Sequence, residues 1–113
     1  MHPIYVPPPK PELFYAETVY ERIEKLLVES AKNIKEGQSL QVEIPLSGGR
    51  IIFPCYFGYQ NPNFIIVYGE DSNGNEVKAF LPHTNIEILV TIFNKPSERK
   101  PIGFQGRDAK PEI

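Results

Sequence analysis

Apolar side chains recur at Val19, Ile23, Leu26, Leu27, Ala31 and Ile34. Offsets of three and four place them on one face of a helix. Thr18-Val-Tyr-Glu21 fits a capping box, in which the Thr18 hydroxyl accepts from the Glu21 backbone N–H and the Glu21 carboxylate reaches back to the cap. Glu21 and Lys25 form an i,i+4 pair in the better orientation, and Lys32 and Lys35 lie where the helix dipole favours cations. Gly37 is the expected stop. The spacing predicts a helix of about 18 residues.

From residue 39 the period drops to two. Leu40, Val42, Ile44 and Leu46 share one face, with Gln41, Glu43 and Pro45 opposite, so residues 39–46 read as a half-buried strand. Gly48-Gly49 supplies the positive φ angles of a tight hairpin. A second strand, Arg50–Tyr59, is interrupted by Pro54, which removes a ladder donor and predicts a sharp bend; Gly58 offers another. After Gln60-Asn-Pro-Asn63 come Phe64–Tyr68 as strand three, the turn Asp71-Ser-Asn-Gly-Asn75, Glu76–Leu81 as strand four and Ile86–Phe93 as strand five. Strand five is apolar on both faces: Ile86, Ile88, Val90 and Ile92 on one, and Leu89, Thr91 and Phe93 on the other, with only Glu87 charged. Such a strand needs cover on both sides, from the helix or from a second copy.

Composition sets the limits. The chain has 113 residues and 12 prolines, and the prolines crowd its ends, at Pro3, Pro7, Pro8, Pro9 and Pro11 and again at Pro96, Pro101 and Pro111. Residues 1–16 therefore read as an extended Pro-rich arm and 95–113 as a polar, flexible tail, leaving a domain of roughly residues 17–94. A core that small gains from oligomerisation. The longest apolar run, near Ile51–Phe57, is broken by Pro54, and no leader-like segment is seen at the N-terminus, so a cytoplasmic chain with no membrane span is expected. One cysteine, Cys55, excludes an internal disulfide; on a strand it is expected to be a buried small hydrophobe.

The net charge is −2. Residues 38–93 hold only Arg50 and Lys78 against Glu43, Glu70, Asp71, Glu76 and Glu87, while Lys95, Arg99, Lys100, Arg107 and Lys110 make the tail basic. A core without a basic stripe counts against strong capture of long nucleic acid. Asp71–Glu76 has its glycine too early for a calcium loop and reads as a hairpin turn. No P-loop, HExxH, CxxC or GxSxG is present, so no enzyme activity, cofactor or metal is expected.

The order of helix, glycine hairpin, bent strand and short connection before strand five resembles the Sm-like (Sm/LSm/Hfq) family of ring-forming RNA-binding proteins. Val42, Ile44, Leu46, Gly49, Gly58 and Tyr59 fall in step with its first motif, and Asn85-Ile86 with its second. The resemblance implies a mainly β fold: an N-terminal α-helix followed by a small, strongly bent, five-stranded antiparallel SH3-like (Sm-like) barrel. It also implies a homo-oligomeric ring of about five to seven subunits. Strand four of one copy would pair with strand five of the next, through Val77, Ala79, Leu89, Thr91 and Phe93. Short single-stranded RNA would meet the inner loops at Gln60, Asn61, Asn63, His83 and Thr84. The chain departs from the family pattern at Gln60, where an acidic residue is expected, and at Pro82-His83, where an arginine and a glycine are. His83 can stack on a base or cap a turn, and Asn61 and Asn63 can read a base edge or serve the turn around Pro62. The other reading that stays open is a structural or protein-interaction ring that has lost RNA binding.

Overall fold

The computed structural model describes residues 15–96 and 102–106. Helix α1 (Ala16–Lys32) is followed by strands β1 (Ser39–Pro45), β2 (Ile51–Gln60), β3 (Phe64–Glu70), β4 (Glu76–Pro82), β5 (Leu89–Phe93) and β6 (Gly103–Gly106). The protein is mainly β with one N-terminal helix. Its sheet runs in the order β4-β3-β2-β1-β5, with antiparallel neighbours along that path, and β6 pairs in parallel with β2. The sheet is open: β4 and β5 end it, and a sixth strand joins the expected five.

The helix forms where its period places it, but it starts earlier and caps differently. Its N-cap is Tyr15, with no side-chain cap hydrogen bond of its own. The Ala16 N–H donates to the Pro62 carbonyl (2.8 Å) and the Glu17 N–H to Asn61 Oδ1 (3.0 Å). A distant loop thus satisfies two first-turn donors, Ala16 and Glu17, that lie ahead of the expected Thr18–Glu21 box. Gly37 is not the helix stop. The helix ends with Asn33 as its C-cap, and Gly37, at φ 80°, belongs to a separate turn in which the Gln38 N–H donates to the Lys35 carbonyl (3.0 Å).

The buried helical face is Ala16, Tyr20, Ile23 and Leu27, one position round from the predicted stripe, so Leu26 and Val28 are exposed. This face packs over β2 and β3. It meets Val42 and Ile44 of β1, Ile52 and Phe57 of β2, and Ile65 and Val67 of β3 in one core.

β1 changes partner along its length. Residues Ser39 to Glu43 pair with β5, and Ile44 and Pro45 pair with β2. Between β1 and β2 the turn Ser47–Gly49 is 3-10, with Gly48 and Gly49 at φ 81° and 79° and the Leu46 N–H donating to the Arg50 carbonyl (2.7 Å). The bend expected at Pro54 is present as a register shift between Pro54 and Tyr56 where β2 pairs with β3. Gly69 sits opposite Pro54, and a Cβ there would collide with the Phe53 carbonyl oxygen and lie 2.8 Å from Ile52 Cγ2. Ile52 and Pro54 face inward ahead of the shift and Phe57 after it, and Cys55, in the bulge between them, is exposed and not the buried small hydrophobe expected.

β5 is shorter than the predicted Ile86–Phe93. Ile86 and Ile88 precede it as half-buried residues packed against the core. The tail also differs from expectation: residues 103–106 form β6, and Ile102 and Phe104 pack on the core. The Pro-rich stretch at 1–14 and the tail residues 97–101 and 107–113 lie outside the described residues.

Candidate functional site

Four of the five loop residues singled out in the sequence converge at one end of the sheet. Gln60 closes β2 opposite Phe64, and Phe64 lies beside Pro82, so the β2–β3 turn and the β4–β5 connection are neighbours. The contact is explicit at His83. Its backbone N–H donates to the Asn63 carbonyl (2.9 Å), and its Nδ1 lies 3.0 Å from the same oxygen. A carbonyl only accepts, so Nδ1 carries the ring proton and Nε2 is the nitrogen turned to other partners. The Asn85 N–H donates to the Pro82 carbonyl (3.2 Å), which tightens the turn below. Gln60, Asn63 and Thr84 are exposed around this knot.

Asn61 is employed differently. Its Oδ1 accepts from the Glu17 N–H and its Nδ2 donates to the Glu17 carboxylate (3.3 Å), so the side chain faces the helix start instead of the loop surface. The Asn61–Pro62 peptide is cis. Of the two asparagines, Asn61 is therefore a helix cap and Asn63 is the one that presents an amide outward. Among the described residues no lysine or arginine falls within these two loops, so a ligand here would be held by amide, hydroxyl and imidazole groups, not by charge.

The residues singled out for subunit contact divide between two surfaces. Val77 and Ala79 are half-buried on the core side of β4. Leu89 and Thr91 are exposed, and Phe93 is half-buried with the Lys95 Nζ 5.6 Å from its ring centroid. Leu89 is 51% and Ile92 52% exposed, so large apolar surface lies open on both faces of β5.

A feature that strand-by-strand reading misses is the outer face of β2, β3 and β4. Register places Tyr56, Tyr68 and Lys78 in one row, and Gly58, Ile66 and Phe80 in the next. The Tyr56 and Tyr68 rings meet edge-on at 5.7 Å, and Lys78 Nζ stands 5.2 Å from the Tyr68 centroid and 5.1 Å from that of Phe80. The alternation of β3 and β4 carries the signal, but only the register joins the rows.

At the opposite end of the sheet, Asp71 organises the β3–β4 turn. Its Oδ1 accepts from the Asn73 and Asn75 N–H groups (2.8 and 2.9 Å), and its Oδ2 from Asn75 Nδ2 (3.1 Å). The hydrogen bonds from Asn75, with lesser help from Asn73 and the Arg50 charge, hold its carboxyl below the ordinary value. This is hairpin chemistry, and no cluster of metal-ligating side chains occurs among the described residues.

Set against family models, curated proteins and solved structures, the chain matches none of them. Among the described residues no helix is long and apolar enough to cross a membrane.

Proposed function

We propose that this chain is a self-assembling Sm-like module that closes a ring of about five to seven copies by pairing β4 of one copy with β5 of the next. The observation that carries the reading is the strand order: β4 and β5 are the two ends of one open sheet, each with an edge that no strand among the described residues pairs. Open edges invite pairing, and β5 adds exposed Leu89, Val90 and Ile92, the cover for which a second copy supplies most simply. The N-terminal helix, the glycine hairpin and the bend at Pro54 agree with the family's pattern and support a small bent barrel completed by assembly.

The second part of the proposal is that short single-stranded RNA meets the ring at Gln60, Asn63, His83 and Thr84. The convergence of the two loops favours it, and the ring of His83 offers a stacking surface. The lack of cations in these loops and the use of Asn61 as a helix cap favour the alternative, a protein-interaction ring without RNA. One experiment orders the three readings. Light scattering at tens of micromolar reports mass, and fluorescence anisotropy with oligo-U and oligo-A reports RNA. A monomer overturns the ring. A multimer that binds no tighter than the non-specific range of about 10⁻⁴ to 10⁻⁶ M overturns the RNA part alone. Sub-micromolar binding that His83→Ala removes without changing the mass supports both parts.

A further inference from the structure

β2 is ten residues long, and β1 pairs only with its first two, Ile51 and Ile52. Beyond them one edge of β2 is taken by β3, and the other would stand open beneath the helix. β6 fills it. The register runs Tyr56 to Gly103, Phe57 to Phe104 and Gly58 to Gly106, in parallel. Side chains alternate across a strand, so Ile102 and Phe104 both face the core while Gly103 lies beside Tyr56 on the outer face. Phe104 is stacked on Phe57 at 5.6 Å with 13° between the rings, and it meets Tyr20 of the helix edge-on at 5.8 Å. The slot is defined by what sits in it: a parallel strand edge with an aromatic floor, reading an aliphatic residue, a glycine and a phenylalanine.

Charge adds a second determinant. Glu17 and Glu24 flank Tyr20 at helical spacings of three and four, with Glu21 next to it, whereas Ile102-Gly-Phe104 is bracketed in sequence by Arg99, Lys100 and Arg107. In sequence, then, the segment around β6 is basic where the helix around Tyr20 is acidic, and opposite charges favour their association.

We infer that this slot is a strand-docking site whose occupant in trans is the same segment, residues 99–107, of a second copy. The contacts are identical whichever copy supplies the strand, so exchange costs only what association itself costs. β6 has four residues, held by two ring contacts of Phe104 and the packing of Ile102, and so short an element is of the kind that opens before the rest of the fold. It also follows β5 in the chain. Where copies meet along β5, a step that rests on the assembly proposed above, β6 is the next strand in the chain after the one that makes the contact. The docking mode is β-augmentation, with the ladder supplying affinity and Phe104 supplying selectivity.

The test uses the full-length chain with Phe104→Ala, which weakens the resident strand and leaves Tyr20 and Phe57 in place, and a fluorescein-labelled peptide of residues 99–107. Anisotropy should show saturable binding to this variant at least about tenfold tighter than to the wild-type chain, where the tethered strand competes at high effective concentration. The peptide with alanine for its phenylalanine should not bind, and raised salt should weaken binding. No binding to a folded variant, or equal binding to variant and wild type, overturns the inference. If Phe104→Ala does not fold, Gly103→Pro serves instead, since it removes a backbone donor from β6 and touches nothing in the slot. The peptide arm needs no ring, so a monomeric chain that binds the peptide separates this result from the assembly.

Discussion

β3 and β5 are almost the same strand in composition, Phe-Ile-Ile-Val-Tyr against Leu-Val-Thr-Ile-Phe, and they meet opposite fates. In β3, Ile65 and Val67 are wholly buried under the helix, and the alternating Phe64, Ile66 and Tyr68 lie on the outer face. In β5, Leu89, Val90 and Ile92 are all exposed. The difference is position in the sheet. β3 is flanked by β2 and β4 and lies beneath α1, while β5 has β1 on one side and, among the described residues, no strand on the other. Hydrophobicity along a strand thus records a need for cover and does not say what provides it. Where the fold provides the cover, the result is core; where it does not, the apolar side chains of the strand are left exposed.

That comparison breaks or holds on three measurements. The largest effect is expected at Ile65. Ile65→Ala removes a fully buried side chain beneath the helix and should cost about 2–5 kcal/mol in chemical denaturation. Ile92→Ala, measured at dilutions where the chain is monomeric, should stay within about 0.5 kcal/mol. If Ile92→Ala is as destabilising in the monomer as Ile65→Ala, β5 is core and the distinction fails. Next is Gly69→Ala, in which the new methyl meets the Phe53 backbone where β2 bulges against β3. Backbone cannot step aside as a side chain can, so a loss of about 1–3 kcal/mol is expected, with no matching site on β5.

The smallest effect concerns pH. Asp71 ties the β3–β4 turn, and its folded carboxyl lies below the ordinary 3.8. The stabilisation is therefore complete above that value and is lost as pH falls through the lowered one. Asp71→Asn should flatten the stability curve below about pH 4 while leaving the curve near neutrality parallel to the wild type. A variant with an unchanged acid limb would show that the turn does not contribute.

Much of the fold is legible along the chain, because period and turn chemistry act locally. The helix, four of the strands, the bend at Pro54 and the Asp71 hairpin all follow from short windows. What escapes such windows is set by contacts distant in sequence. The helix cap comes from Asn61 and Pro62, 44 residues on in the case of Asn61 and Glu17, so the helix begins two residues ahead of Thr18, where the capping-box pattern places its start. Cys55 reads as a buried small hydrophobe on a strand, but it falls in the bulge between Pro54 and Tyr56 and is exposed. β6 has only four residues, bounded by glycines in a polar tail, and nothing in its own period marks it as a strand. Of the candidate site, the meeting of the two loops follows from strand order, but the division of labour between Asn61 and Asn63 depends on where α1 begins.

The two open edges carry one last consequence. β4 and β5 are different surfaces on opposite ends of the same sheet, so a contact between them is head-to-tail and leaves each new copy with one edge still to satisfy. Such a contact has no built-in stop. Whether growth ends in a closed ring or continues as a filament depends on the rotation per step and not on the strength of the bond. In the ring proposed above, a substitution that alters the twist of β4 or β5 by a few degrees, without weakening the pairing, would change the product from a particle of fixed size to a fibre.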